Sequence, residues 1–335
     1  SPIVVSSLTN GTAATAKVWA INAHGTSEPG AASSSFTPIA PWYGSRAVWA
    51  GGYESSTVDT MEYVTIASTG NVTDFGNLSR AAYMQNGNGV SNGPRGVFGG
   101  VSNNFTVADV MEYITFANTG NSTDFGNLTV ARDAPAGVSS SARGVFAGGK
   151  GSSEFLNVMD YITIASAGNA TDFGDLSVGR QFQSGVSSGS RGVIGGGDTA
   201  SGPVDTIDYI TIASTGDATD FGNLTLARRQ LASAGSSTRG VFSGGRKSSG
   251  SPRYVNNIDY ITIASTGNAS SFGDLTTAIQ QHSGTSNDIR GVFGGGTAAS
   301  ATNVIDYITI ASTGNAQDFG DLSAARQDTQ STSGT

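Results

Sequence analysis

The chain has 335 residues, with 17 Lys and Arg against 25 Asp and Glu, so its formal net charge is −8. That balance excludes general nucleic-acid binding and attraction to an anionic membrane, because both need a basic footprint. There is no Cys, and only two His (His24, His282) and three Lys (Lys17, Lys150, Lys247), which excludes disulfides, thiolate metal sites and thiol nucleophiles and leaves little for other catalytic constellations.

Residues 1–38 belong to no repeat. They contain LTNGT, an alternating stretch ending in Ala-Ile-Asn, a Gly-Thr-Ser turn and a closing Ala-Ser-Ser-Ser-Phe-Thr-Pro. This order resembles the last third of a fibronectin type III module, although Ala14 stands where that family usually carries its corner Tyr. A whole module needs two sheets and about 100 residues, and three strands alone bury too little surface to be stable. The resemblance, with Ser as first residue, implies a polypeptide that continues upstream. Residues 39–45 read as a linker. No apolar run approaches the ~18 residues of a membrane span, and no signal peptide is visible.

From residue 46 one unit recurs six times, at spacings of 48 to 51 residues. Its first block is RAVWAGG at Arg46, then RGVFGG at Arg95, RGVFAGG at Arg143, RGVIGGG at Arg191, RGVFSGG at Arg239 and RGVFGGG at Arg290. The second block is of the form IDYITIASTG, with its Tyr at Tyr63, Tyr113, Tyr161, Tyr209, Tyr260 and Tyr307. The third is TDFGNL or TDFGDL in most copies, with Phe75, Phe125, Phe173, Phe221, Phe272 and Phe319, and Ser271 replaces the Asp in the fifth copy. A fourth, looser block leads to the next Arg. Each block is short, β-branched or aromatic, and bounded by Gly, Asn and Ser, which reads as a strand. The YITIAS strands are apolar on both alternating faces, so both faces must be buried. Four such strands in about 48 residues describe a propeller blade, which packs one face on the preceding blade and one on the next. The expected fold is therefore all-β, a six-bladed propeller over residues 46–335. The fourth-block strand at the C terminus has no partner after it, and the first block has none before it. Pairing Ala325–Ser333 with Ala47–Gly51 is the expected closure, which removes the exposed edges.

Over residues 46–335 the order of motifs resembles the kelch family: a strand ending in Gly-Gly, a Tyr-bearing strand, an aromatic strand and then a basic residue. Phe stands where kelch has Trp. The basic position is filled by Arg132, Arg180, Arg228 and Arg326, with Ala82 and Ile279 in the other two copies. The resemblance places these four arginines as candidates to line the central channel, where they would suit an anion or an acidic sugar. Copper-radical oxidases built on such propellers need a Cys–Tyr crosslink and several His, which this chain lacks. No cofactor or metal is expected.

The remaining candidates read as structural. Six DFG-like strings without a Gly-rich loop or a catalytic-loop Asp are turns, not a kinase site. The acids before each Tyr (Glu62, Glu112, Asp160, Asp208, Asp259, Asp306) and the Arg opening each first block suit ion pairs or solvated rims. Asn-X-Ser/Thr triplets such as Asn169-Ala-Thr recur at one turn of the repeat, where Asn tolerates left-handed backbone. The loops between Gly-Gly and Tyr differ in every copy, and alternation of strand direction puts them on one face, opposite the nearly invariant STGNATD turns. A rigid scaffold with one variable rim suggests a binding rim. Its candidate contacts are Glu54, Asn104, Phe105, Glu154, Phe155, Asp198, Arg246, Lys247, Arg253 and Tyr254.

Charge-poor repeats of the form RGVFAGG…DYITIASTGNATDFGDL resemble those of structural proteins of marine bacteriophages, cyanophages in particular. That resemblance implies a non-enzymatic virion component, such as a tail fibre, tail tip or capsid-surface appendage. Its expected partners are other virion proteins and a host-surface glycan or protein receptor, in a possible homo-oligomer, with no nucleic acid and no membrane insertion. A bacterial surface adhesin is the alternative reading, and a polysaccharide-degrading enzyme ranks last because no unique pair of carboxylates stands out.

Overall fold

Arg-Gly-Val-Phe and Asp-Tyr-Ile-Thr strands pair antiparallel in every repeat of the computed structural model. It describes residues 44–84, 87–101 and 106–334, and before them residues 15, 17, 21, 22, 25–28, 30 and 31. The chain divides into two compact units, Ser1–Pro41 and Trp42–Thr335. In the first, Ile21–Asn22 pairs with Gly25–Thr26; most of the rest of the fibronectin-like segment, and most of the linker, lies outside the described residues.

The second unit is a six-bladed β-propeller. Each blade is a four-stranded antiparallel sheet. The fourth blade serves as the pattern: Ser184–Ser187 is innermost, then Arg191–Gly195, Thr206–Thr211 and, outermost, Thr219–Asn223. Asp208 pairs with Asp220 and Ile207 with Gly222, so Phe221 is the extra residue of a β-bulge. All six blades repeat this offset. The bulged Phe is buried, and the Tyr of its own blade meets it edge-on at 5.9–6.2 Å between centroids. Each of the six hydrophobic clusters spans two neighbouring blades. Val193, Ile207 and Phe221 of the fourth blade pack with Phe242, Ile261 and Ile263 of the fifth, for example.

Two glycine positions are dictated by this packing. A Cβ on Gly192 would lie 2.6 Å from the Val138 side chain of the preceding blade, so the second strand needs Gly where the inner strands crowd together. Gly196 and Gly197 have φ of 67° and 111°, which turns the chain sharply off the strand at little steric cost only for Gly.

On the face carrying the invariant turns, the opening Arg of every blade lies over its own Tyr ring, at 4.2–4.8 Å from the centroid. Its Nη1 donates to a carbonyl of the next blade, as Arg191 does to Ile263 O at 2.9 Å. The turn Asn or Asp of each blade accepts a backbone N–H from the outer strand of the one before, at 3.0–3.1 Å. The recurrent turn Asn therefore has a structural job in every seam that carries it.

Closure follows the expectation. Gln330–Gly334 pairs with Arg46–Ala50, in the register Thr332 to Val48, and completes the first blade as its innermost strand. The strand is shorter than expected because Asp328, at φ 57°, ends the turn that precedes it. Gln330, Ser331 and Thr332 are almost wholly buried. Removing residues 330–335 is expected to cost at least about 5 kcal/mol, the scale reserved for loss of a core element. Urea denaturation of the truncated and full-length chains checks this; equal midpoints would mean that the ring holds without its closing strand.

Candidate functional site

The innermost strands are mostly Ser, Gly and Ala, with single Val or Thr residues between them, so six of them converge on the axis without filling it with side chains. Gly137, Gly185, Gly284, Ser286, Ser331 and Ser333 are among the residues lining a narrow axial channel. Its polar groups satisfy one another. Asn88 Nδ2 donates to Gly284 O at 3.1 Å, while Asn88 Oδ1 accepts from Ser184 Oγ at 2.6 Å and Gly185 N at 3.2 Å, tying the second, fourth and sixth blades together. Serine hydroxyls bridge the others: Ser233 to Gly185 O, Ser286 to Gly235 O, Ser331 to Gly284 O and Ser333 to Ser286 O, all at 2.6–2.9 Å.

The four arginines expected at this channel are not among its lining residues. They sit in the seams between blades, with side chains 0% exposed. Arg132 pairs with Asp160 at 2.8 Å, Arg180 with Asp208 at 2.9 Å, Arg228 with Asp259 at 3.1 Å, and Arg326 with Glu62. The acids before Tyr are thus the partners of these arginines, and the opening arginines are left to the Tyr rings. Burial lowers the pKa of Arg132, Arg180 and Arg228, and the facing Asp opposes that shift. Two seams have no Arg. Where Ala82 stands, Glu112 accepts from Ser79 and Ser122. Where Ile279 stands, Asp306 accepts from Thr276 N at 3.0 Å and Oγ1 at 2.8 Å, and burial pushes its carboxyl up.

The loop-bearing face is different in kind. In five seams the residue after the seam position pairs with the residue after Gly-Gly: Asp133 with Lys150, Gln181 with Asp198, Arg229 with Arg246, Gln280 with Thr297 and Gln327 with Tyr53. One fixed backbone bridge thus carries a different pair of side chains in each of these five places. The next residues inward (Ala134, Phe182, Gln230, Gln281, Asp328) all have φ of 53–60°. Their backbones form a collar about the axis, in which Gln230 N donates to Phe182 O, Gln281 N to Gln230 O, Asp328 N to Gln281 O and Met84 N to Asp328 O, at 3.0–3.1 Å. Gln281 Nε2 also donates to Asp328 Oδ2 at 2.7 Å. Burial pushes the Asp328 carboxyl up to about 7, against hydrogen bonds from Tyr83 and Gln281. Burial and the nearby Asp328 raise the Tyr83 phenol in turn, and Tyr53 meets Tyr83 edge-on at 6.1 Å.

Starting where the second and third blades meet and running across the third to the chain entering the fourth, this face opens into a groove of about 470 Å³, lined by Thr106, Val107, Asp133, Lys150, Ser152, Gln181 and Phe182 among others. It sets a half-exposed aromatic ring beside a carboxylate, an ammonium, an amide and hydroxyls. That mixture suits a polyhydroxylated ligand, whose C–H faces stack on rings while its hydroxyls exchange hydrogen bonds. Among the described residues no group of three His, Asp or Glu is placed to hold a metal ion.

The rim candidates fare unevenly. Glu154 is exposed and Phe155 half-buried at the start of a strand. Glu54 lies 3.9 Å from Arg326. Asp198 is buried and paired with Arg229, so it anchors the rim from below. Arg246 bridges to both Arg229 and Tyr254, Lys247 N donates to Arg253 O, and Arg253 Nη2 donates to Ser248 O, so the fifth loop folds on itself. Asn104 and Phe105 lie outside the described residues. Sequence reading missed Asp133, Gln181 and Phe182; the signal was there in the change of residue directly after an otherwise repeated Arg.

Two expectations follow. Arg180→Ala leaves Asp208 buried without its cation and should cost about 3–5 kcal/mol, while Arg180→Ala with Asp208→Asn should recover part of that loss in urea midpoints; additive losses would count against the pairing. The second concerns pH. Asp328 is raised from 3.8 to about 7, so its contribution is complete below pH 4 and lost as pH rises through 7. His282 is pushed down to about 3, so its contribution is complete above pH 6.5 and lost as pH falls toward 3. The stability advantage of the wild type over Asp328→Asn should therefore shrink, by at most about 4 kcal/mol, between pH 4 and 8, and that over His282→Gln should grow; flat differences would refute both.

No protein-family model matches the chain, and no curated protein is significantly similar to it.

Proposed function

We propose that the propeller is a non-enzymatic attachment module, kelch-like in its repeats, that serves on a phage virion and recognises a host-surface glycan. The observation that carries this reading is the asymmetry of the disc. One face repeats the same Arg, Tyr and carbonyl contacts in all six blades, with a turn Asn or Asp accepting the same backbone N–H in each. The other changes its side chains blade by blade over one unchanging backbone bridge and holds a groove with Phe182, Lys150, Asp133 and Gln181. Surfaces that hold a scaffold together have no reason to vary from copy to copy, and surfaces that read a ligand do. A role without catalysis is supported by the repeated acids, which are committed to arginines or hydroxyls in the seams.

The test is binding of the labelled full chain to marine cyanobacterial cells, with and without periodate oxidation of surface glycans. Saturable binding that oxidation abolishes, and that Phe182→Ala or Lys150→Ala weakens by at least about tenfold, is the expected result. No saturable binding at micromolar protein across a panel of hosts would overturn the proposal. Binding that survives oxidation would move the receptor from glycan to protein.

A further inference from the structure

In four seams an Arg side chain crosses from the chain leaving one blade to the acid of the next. Between the fifth and sixth blades that position is Ile279, yet the surroundings of an arginine are kept. Asp306 stands where Asp259 stands one blade earlier, Thr276 donates to it as Thr225 donates to Asp259, and Phe293 takes the register position of Phe242. The carbonyl of Ile279 accepts from Gly245 N as that of Arg228 accepts from Gly197 N. The space the guanidinium fills elsewhere is a cavity here, lined by Leu275, Thr276, Ile279, His282, Phe293 and Asp306 among others. It measures about 50 Å³, room for roughly four water-sized groups, which is also the number of heavy atoms in a guanidinium.

The two buried polar side chains of this cavity, Asp306 and His282, present acceptors and meet no cation. Asp306 is 7% exposed, and its hydrogen bonds come from neutral Thr276. His282 is 1% exposed; its Nε2 lies 3.0 Å from Ser243 Oγ and its Nδ1 has no hydrogen-bond partner. In the tautomer that donates from Nε2 to Ser243, Nδ1 is a bare lone pair. No lining residue carries a positive charge at neutral pH, since burial pushes the imidazole down to about 3. The walls are apolar (Leu275, Ile279, Phe293), and exposed Thr277 and Val304 with half-buried Ala298 mark the mouth. An apolar sleeve ending in a carboxylate and an imidazole acceptor matches a planar cation on a short alkyl stem.

We propose that this cavity binds an alkylguanidinium, supplied in trans to the one Arg-type seam whose arginine has become isoleucine. The site is independent of the groove across the third blade. A free small molecule and an arginine side chain of another protein present the same chemistry, so both are assayed. The full chain is titrated calorimetrically with propylguanidinium chloride and with a Gly-Arg-Gly peptide, against sodium chloride at matched ionic strength. Expected is saturable one-to-one binding of propylguanidinium in the millimolar range, with a rise in thermal midpoint at the same concentrations. Asp306→Asn should weaken it at least about tenfold, as loss of the charged partner does. Ile279→Arg should abolish it by filling the site from within. Peptide binding assigns a protein arginine, and its absence assigns a free ligand.

Two results would overturn the proposal: no saturable heat up to about 50 mM, well above a millimolar dissociation constant, or binding that persists in Asp306→Asn. Should Ile279→Arg fail to fold, His282→Phe gives the second reading; it removes the Nδ1 acceptor but sets a larger ring against Phe293 and Gly244, so its thermal midpoint is recorded beside its affinity, and unchanged affinity there together with unchanged affinity in Asp306→Asn excludes the site.

Discussion

A blade with two apolar faces has no stable existence alone, and everything else in this protein answers that constraint. The Tyr-Ile-Thr-Ile strands carry large apolar side chains on both sides of the sheet. Each face has to be covered by another sheet, and an open stack would leave two uncovered ends. Closing the stack into a ring removes both ends at once, and pairing Gln330–Gly334 with Arg46–Ala50 is how the chain does it. The hydrophobic clusters accordingly lie between blades, not within them.

Apolar contact between sheets sets no register of its own, and two polar systems fix it. On the invariant face, arginine lies on tyrosine and reaches over to the next blade's carbonyl. Deeper in the seam, a second arginine meets a buried carboxylate. Burying such a pair gives little net stability, but it admits few geometries, which suits a job of alignment. Both systems lie on the invariant face or within the seams, so on the loop-bearing face the ring is held chiefly by backbone contacts, which leave its side chains free to vary. Its collar of backbone hydrogen bonds holds the chain path while the side chains of that ring, from Ala134 and Phe182 to Asp328, differ from one blade to the next.

Much of this was legible beforehand. Six copies of three strand-like blocks, with a leftover strand at one end and a missing one at the other, lead to the number of blades and to the closure. The invariant turns and the varied loops separate the two faces. The arginine positions were visible as well, but their destination was not. Arg180 is 28 residues from Asp208, and no spacing rule says that the two meet in a dry seam rather than at the axis. Asp198 looked like a rim contact and turned out to be buried against Arg229. Phe182 looked like one of many residues in a loose block, and its backbone at φ 60° is what brings its ring to the groove.

The sequence by itself determined the class of fold, the count of blades and the place where the ring closes, because these follow from periodicity and from the need to bury both faces of every strand. Which charge meets which, whether the axis is lined by cations or by serine, and which residues share the groove were decided only by the tertiary structure. Those outcomes depend on the ring's radius and on the offset between successive blades. At this radius the inner strands approach so closely that Asn88 and serine hydroxyls span the axis and satisfy one another, and no acid stands there to pair a guanidinium. The arginines are left with the seams, where a carboxylate already waits. In the one seam where Thr276 alone serves that carboxylate, Ile279 leaves a space that no repeat count or motif announces.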